Sequence, residues 1–278
     1  MGPPRGRTGE GAWDSGFATR GPWFEPLAPA AERLSRWDNW PDVSALDMLL
    51  DARGTRPAGV SGFPFRLVEQ ERARDGLPYE EAIFQTGAIP TRRRNWHDLF
   101  NALVWSTFPA SKAALNARHA EARRGRPAGA NRGPVEDALT GFDESGVVVA
   151  CSDPQLAELL IGFRWEELFW VQRRAVRESM RFMIFGHGLY EKALRPFVGL
   201  TGKGVVIPAA AALLRGSLPA LLAELDGSLA AYILDRSRLA SPRELAPVPL
   251  LGVPGWWPAN EEPGFYGNAG YFRPGRGP

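Results

Sequence analysis

The sequence has few of the residues that a secreted or membrane-spanning protein needs. Its 278 residues include one cysteine, Cys151, which excludes an internal disulfide framework and favours a reducing, cytoplasmic environment. No secretory signal is evident, and the best apolar stretch, residues 205–222, is interrupted by Pro208, Arg215 and Pro219. A bilayer span needs roughly 20 apolar residues in a row, so we expect no membrane segment.

Positive and negative charges are nearly balanced in the sequence. The formal net charge is +2, so no global field favours nucleic acid or a membrane surface. Hydrophobic residues make up 44% and charged residues 23%, which is typical of a globular domain. We expect an α+β fold: a mostly helical single domain over residues 21–278, with a small antiparallel sheet and an extended C-terminal wrap. Residues 1–20, rich in Gly, Arg and Pro, are expected to be a disordered tail.

The most informative stretch, residues 94–119, predicts two helices that break at Phe108-Pro109, because proline disfavours helical geometry in the residue before it. Apolar residues recur at helical spacing on the first helix. Polar residues share one face of each helix, because residues three and four apart are neighbours. If the pair closes as a hairpin, the two polar faces meet in one cleft. These faces consist of His97, Asn101 and Trp105 on the first helix, and of Lys112, Asn116 and His119 on the second.

Other segments give weaker signals. Residues 65–69 and 200–207 predict strands, and residues 79–90 favour a strand over a helix. Residues 139–151 predict a β-hairpin whose turn contains Asp143, Glu144 and Gly146. Helices are expected at the ranges that follow: 28–36, 43–50, 155–161, 165–180, 187–194 and 218–234. Residues 182–185 fit either a strand or the tail of the preceding helix.

Several segments resemble the bacterial DUF3025 family, and the resemblance extends over most of residues 23–274. It implies a bacterial source and a single domain, and it implies no mechanism, since the family is named for an unknown function. The segments are Arg94–Trp105 with Phe108–Pro109, Lys112 and Leu115–Asn116; Phe142–Gly146; Phe185–Lys192; and Leu251–Trp256 with Asn260, Phe265–Tyr266 and Phe272–Pro274.

All three histidines fall within or beside these segments, and histidine is the commonest metal ligand in proteins. His187 and Glu191 are four residues apart, which places two ligands on one helix face. With His97 they form our predicted ligand set for a divalent ion such as Zn²⁺, Mn²⁺ or Fe²⁺. Asp98, Asp143 and Glu144 could complete the coordination sphere.

The leading hypothesis is a metal-dependent, hydrolase-type enzyme. Asp98 or Asp143 would act as a ligand or general base, with Lys112 as a further catalytic residue. The predicted substrate-binding residues are Asn101, Asn116 and Trp105. The competing interpretation is that each histidine only forms hydrogen bonds within a polar seam, and that Asp143 and Glu144 are solvated turn residues.

A second hypothesis is a non-catalytic binding protein, in which the arginine-rich loop and exposed tryptophans hold nucleic acid or a protein partner. The two hypotheses differ in geometry: the enzyme needs His97 and His187 in one coordination sphere, and the binding protein needs the arginines and tryptophans on one face. The sequence does not match two other known motifs, the HD-type phosphohydrolase motif and the Walker phosphate loop. Neither other histidine precedes the His97-Asp98 pair, as an HD-type phosphohydrolase would need, and residues 197–204 lack the Walker residues.

Overall fold

The computed structural model describes residues 11–51, 54, 56–70, 78–126 and 131–275. It confirms a mostly helical α+β fold organised as a single domain. Within these residues no helix has the length and apolar character that crossing a membrane would require. Residues 1–10 of the predicted tail lie outside the described residues. The chain is packed from Trp13 onward, inside the predicted tail, because the ring of Phe17 is fully buried against Trp96 and Phe100.

The helices and strands follow in chain order. The helices are α1 Ala28–Leu34, α2 Val43–Asp47, α3 Tyr79–Thr86, α4 Trp96–Thr107, α5 Pro109–Arg123, α6 Pro134–Ser145, α7 Pro154–Ile161, α8 Arg173–Ser179, α9 His187–Ala193, α10 Ala211–Leu214 and α11 Leu218–Leu234. The strands are β1 Arg66–Glu69, β2 Ala88–Thr91, β3 Gly146–Cys151, β4 Met180–Ile184, β5 Thr201–Pro208 and β6 Ala246–Pro249.

The larger sheet has the strand order β4-β3-β5-β6. Strand β3 pairs antiparallel with β4 and parallel with β5, and β5 pairs antiparallel with β6, so the sheet is mixed rather than antiparallel throughout. Every residue of β3 is buried, as expected for a valine-rich strand covered on both faces. Strands β1 and β2 form a separate parallel pair.

The predicted helix pair at residues 94–119 is confirmed as α4 and α5. The side chain of Asn95 accepts a hydrogen bond from Asp98 N and caps the start of α4. Pro109 is the first residue of α5, where its missing N–H has no cost. The ring of Phe100 stacks on Phe24 and Tyr190, so α4 lies at the centre of an aromatic core.

The predicted hairpin at residues 139–151 is wrong. Helix α6 extends to Ser145, and the chain passes directly into β3 at Gly146. The acidic and glycine residues favoured a turn, but Pro134 at the first helical position and Glu136, whose carboxylate accepts from Gly133 N, start a stable helix. Asp143 and Glu144 are therefore on the last turn of a helix and not at a solvated turn.

Residues 79–90 were also predicted wrongly as a single strand. They form α3, a left-handed turn at Gly87, and then β2. Glycine is needed there because φ is +69° and a Cβ would lie 2.3 Å from the carbonyl oxygen of Pro64. Only Ala88–Thr91 form a strand, and Tyr79 is the first residue of a helix.

The region predicted as one helix at residues 165–180 divides into a π-helical turn, Glu167–Val171, and α8. Met180 already belongs to β4, so the apolar run after it is a strand. The C-terminal segment was expected to be extended chain, but it forms β6 and several 3-10 turns, and Val248, Leu250 and Leu251 are fully buried. Asn260, fully buried, anchors it by donating to the carbonyl oxygens of Leu251 and Val253.

Candidate metal centre

The two histidines predicted to share a site are carried by α4 and α9, which pack against each other. His97 is the second residue of α4, and His187 is the first residue of α9. Their rings meet edge to face at 74°, with the ring centroids 4.5 Å apart. The two Nε2 atoms lie 3.1 Å from each other. The convergence that the enzyme hypothesis required is therefore present.

A close approach of two glycines brings His187 to the end of α6. The carbonyl oxygen of Gly146 accepts hydrogen bonds from the N–H groups of Phe185 and Gly186, both at 2.9 Å. A Cβ on Gly186 would lie only 2.4 Å from Gly146 N, so no larger residue fits without a backbone shift. This contact places the start of α9 beside the last turn of α6, where Asp143 and Glu144 are located.

The carboxylate of Glu144 completes a compact group with the two histidines. Its Oε1 lies 3.5 Å from His187 Nε2 and 3.8 Å from His97 Nε2. One ligand atom from each of the three residues lies within 4.8 Å of the others, a grouping that could hold a metal ion. A Cβ on Gly188 would come within 2.4 Å of Glu144 Oε2, so the glycine leaves the space that this carboxylate occupies.

The two Nε2 atoms and Glu144 Oε1 form a triangle, and the distances between these three atoms resemble those between the ligand atoms of a bound metal ion. Ligand atoms about 2.0–2.2 Å from a tetrahedral ion are about 3.3–3.6 Å apart. The observed separations of 3.1, 3.5 and 3.8 Å bracket that value. Two histidines and one carboxylate suit a borderline divalent ion such as Zn²⁺, and three protein ligands leave a fourth position open.

Each imidazole has a carboxylate on the side away from this group. His97 Nδ1 lies 3.1 Å from Glu191 Oε2, so a proton on Nδ1 can be donated to that carboxylate. In this neutral tautomer the Nε2 lone pair of His97 points toward His187. On the other ring, His187 Nδ1 is buried without a hydrogen bond, and Asp143 Oδ2 lies 3.7 Å from it. A carboxylate behind a ligating histidine is common in metal sites, where it fixes the tautomer.

These contacts limit the protonation states that are stable. If His187 Nδ1 bears the proton and faces Asp143, two Nε2 lone pairs oppose each other at 3.1 Å. If His187 Nε2 bears the proton and donates to His97, the Nδ1 lone pair faces the Asp143 carboxylate. A cation or an additional proton shared between the Nε2 atoms relieves both conflicts. The arrangement thus favours an added positive charge at this point.

The pKa shifts agree with a pocket that attracts positive charge. The pKa of His97 is raised, chiefly by its hydrogen bond to Glu191 and against the effect of burial, with a further contribution from Glu144. The pKa of Glu144 is lowered, mainly by the His187 ring. Burial would raise the pKa of Asp143, but the Lys112 ammonium together with the His187 and His119 rings outweighs it, and the pKa is lowered.

Lys112 and Asp143 form a buried ion pair of 2.5 Å beneath the histidines. The ammonium of Lys112 also lies 5.2 Å from the ring centre of Trp105. Because the second oxygen of Asp143 faces His187, the ion pair fixes the carboxylate that lies behind that ring. Lys112 is therefore placed to hold Asp143 and not to reach a substrate.

The metal-ligand candidates open into a cavity of about 1140 Å³. Its lining includes His97, His187, Glu144, Asp98 and Asn101. Asp98 accepts two hydrogen bonds from the Arg92 side chain and is thereby held on the wall. The Asn101 side chain donates to the Tyr79 hydroxyl, while its Oδ1 has no protein partner. The cavity gives a ligand access to the histidines.

The other residues singled out in the sequence lie outside the group formed by the two histidines and Glu144, and most of them do not line the cavity. Trp105 is buried against Phe65 and does not line the cavity, and Asn116 donates to the backbone and side chain of Glu80. Glu191 lies behind His97 and outside the group formed by the two Nε2 atoms and Glu144. His119 lines the cavity but is not part of that group. Sequence reasoning had named Glu144 only as a residue that could complete the sphere.

The tryptophans do not form the exposed face that the binding hypothesis required. Each is either buried or partly buried, and none of them lines the cavity. Trp13, Trp40 and Trp96 pack against one another in one aromatic cluster. Arginines of the basic loop, in contrast, lie on the rim of the cavity that contains the histidines.

The family model described as "Protein of unknown function (DUF3025)" matches residues 65–276. The chain belongs to the DUF3025 family. The match includes α4, α6 and α9, so the whole histidine–carboxylate group of this DUF3025 protein lies within the family region. No curated protein and no solved structure matches the chain.

Proposed function

We propose that this DUF3025 protein is a metal-dependent, hydrolase-type enzyme whose ion is held by His97, Glu144 and His187. The single observation that supports the proposal is the triangle formed by the two Nε2 atoms and Glu144 Oε1, with edges of 3.1, 3.5 and 3.8 Å. The triangle lies at the wall of a cavity large enough for an organic substrate.

The donor set favours Zn²⁺, Mn²⁺ or Fe²⁺ over Mg²⁺ or Ca²⁺, because imidazole nitrogen is a better ligand for the first three ions. An ion in such a site polarises a carbonyl or phosphoryl oxygen and activates water as a nucleophile. Hydrolysis is the reaction class that uses both effects without a further cofactor.

The surrounding residues have supporting roles in this proposal. Glu191 fixes the tautomer of His97, and Asp143 orients His187. Lys112 keeps Asp143 ionised and in place. Asn101 lines the cavity and its Oδ1 has no hydrogen-bond partner, so it is the residue we assign to substrate binding.

The decisive experiment is elemental analysis of protein purified without a histidine tag. We expect about one divalent transition metal per chain in the wild type, and its loss in His97→Ala, His187→Ala and Glu144→Gln. His119→Ala is the matched control, because His119 lines the same cavity but lies outside the ligand group, and it should retain the metal. Wild-type protein without bound metal after reconstitution, or a His187→Ala variant that still binds it stoichiometrically, contradicts the proposal.

A thermal unfolding assay separates metal loss from misfolding. Binding of the metal at a hundred times its Kd should stabilise the native state by about 2.7 kcal/mol. We expect this shift in the wild type and in His119→Ala and not in His187→Ala. Circular dichroism of the metal-free proteins should be the same for all three.

A further inference from the structure

A second group of charged residues lines the same cavity as the histidines. It consists of four arginines, called here the arginine rim, and of one carboxylate, Glu136. The arginine rim is Arg123, Arg124, Arg126 and Arg132. Two of its members flank the C-terminal end of α5, and Glu136 is in the first turn of α6.

Glu136 fixes two of these arginines in place. Its Oε1 lies 3.2 Å from Arg123 Nη1, and its Oε2 forms a close ion pair with Arg126 Nη1. The carboxylate also accepts a hydrogen bond from Gly133 N at 2.9 Å. The Glu136 side chain is buried, with an exposed fraction of 5%. The guanidinium groups are therefore ordered before a ligand arrives, which lowers the entropic cost of binding.

The rim has more positive charge than Glu136 can neutralise. Arg124 and Arg132 are exposed, and within the described residues neither has a carboxylate partner. Four guanidinium groups thus face one carboxylate. The other carboxylates of the lining, which are those of Glu80, Glu81, Asp98, Asp143 and Glu144, belong to α3, to α4 and to the last turn of α6. The excess positive charge is that of the arginine rim itself and not of the cavity lining as a whole.

Helix α6 gives the distance between the rim and the metal-ligand group. Glu136 is in the first turn of the helix, Thr140 follows one turn later, and Glu144 is in the last turn. All three line the cavity. At 1.5 Å per residue, Glu136 and Glu144 are about 12 Å apart along the helix axis. Tyr79 and Phe84 of α3 line the same cavity and provide apolar surface for an organic group.

We propose that the substrate of this enzyme carries a phosphate group that the arginine rim binds, on the order of 10 Å from the bond that is cleaved. This inference rests on the proposed function for the identity of the reaction, but the phosphate site itself does not require the metal. A tetrahedral oxyanion suits several guanidinium groups, each of which can donate two parallel hydrogen bonds. The substrate class is therefore a small phosphorylated compound with a hydrolysable bond distant from its phosphate.

The test measures binding of inorganic phosphate to the full-length protein by isothermal titration calorimetry, with and without added metal. The variant is Arg124→Gln with Arg132→Gln, which removes the two arginines that have no carboxylate partner in the described part of the chain and leaves the Glu136 ion pairs intact. The control is Arg215→Gln with Arg243→Gln, two exposed residues away from the cavity, which lowers the net charge by the same amount. We expect the affinity for phosphate to fall by about tenfold or more in the rim variant and to stay unchanged in the control.

The remaining arms separate this inference from the proposed function. His187→Ala should lose the metal and keep the affinity for phosphate measured without metal, which supports the rim as an independent site. Wild-type protein that binds metal but no phosphate overturns the phosphate inference alone. An equal loss of affinity in both arginine variants, or acetate binding as tightly as phosphate, also overturns it. If the protein binds a 20-nucleotide single-stranded RNA tightly but does not bind inorganic phosphate, the inference is overturned, and the arginine rim is a nucleic-acid site instead.

Discussion

The ammonium of Lys112 lies 2.5 Å from Asp143 Oδ1 in a part of the protein that water barely reaches. The exposed fractions of the two side chains are 4% and 12%. Because Asp143 Oδ2 faces His187, this ion pair joins the core of the α5–α6 pair to the histidine–carboxylate group. The buried charge therefore positions a histidine as well as joining two helices.

Replacing Lys112 by methionine should destabilise the protein strongly, because it leaves the Asp143 carboxylate buried without a partner. Loss of one member of a buried ion pair costs roughly 3–5 kcal/mol. The measurement is the free energy of unfolding in urea. Lys112→Met combined with Asp143→Asn removes both charges and should recover part of the loss. If the double variant is no more stable than the single one, the ion pair does not account for the destabilisation.

Glu191→Gln should weaken metal binding without preventing it. Glu191 contacts His97 Nδ1 and not the Nε2 atoms, so it acts on the ligand and not on the ion. Loss of such an outer carboxylate lowers metal affinity by about 10–100-fold. Competition against a chromogenic chelator measures this change, and Glu158→Gln, an exposed residue of α7, is the control. Complete loss of stoichiometric metal would instead place Glu191 among the ligands, as the sequence suggested.

The sequence predicted the helices of the site because their signals are local. The break at Phe108-Pro109 and the apolar spacing on the first helix can both be recognised within one segment. It also predicted that His97 and His187 converge. It named Glu191 as the third candidate ligand, whereas the compact group in the structure contains Glu144, because the choice depends on how α9 is rotated against α4. The spacing of His187 and Glu191 places both on one face, and the structure inserts the His97 ring between them.

Helix α6 shows a second limit of sequence reasoning. Residues 142–146 contain Asp, Glu, Ser and Gly, which are typical of turns, and the valines that follow are typical of a strand. Packing against α5 and α9 keeps the segment helical up to Ser145. Tertiary contacts of this kind override local preference, and a single sequence does not display them.

The contribution of Glu136 to stability should depend on pH. Burial would raise the pKa of its carboxyl, but the Gly133 N–H and the Arg123 and Arg126 guanidinium groups outweigh burial, and the pKa is lowered from its ordinary value of 4.5. A lowered folded-state pKa means that the stabilisation is fully present above about pH 4.5 and is lost as the pH falls through the folded value.

The comparison of wild type with Glu136→Gln tests this sign. Urea unfolding at a series of pH values should give a difference in stability that is constant near neutrality and shrinks below about pH 4.5. Glu262→Gln, an exposed residue of the C-terminal segment, is the control and should show no such dependence. A difference that grows as the solution becomes more acidic would contradict the assignment.

Asp226 of α11 caps the start of α5 from a distance of 115 residues along the chain. Its carboxylate accepts from Ser111 N and Oγ, both at 2.8 Å, and from Ala110 N at 3.1 Å. The residue before the helix, Phe108, has no side chain that can cap it, and Pro109 has no N–H. The capping acceptor therefore comes from another helix, and it could not be found from the local sequence.

Asp226→Ala should destabilise the protein by about 1–3 kcal/mol, the cost of leaving buried donors without an acceptor. Asp226→Asn keeps one acceptor oxygen and should lose less than the alanine variant. The free energy of unfolding in urea is the measurement. Asp153→Ala removes the local cap of α7, which accepts from Gln155 N in an exposed position, and should cost less than Asp226→Ala, because water can replace that bond. Equal losses for the two alanine variants would show that burial of the α5 cap has no added effect.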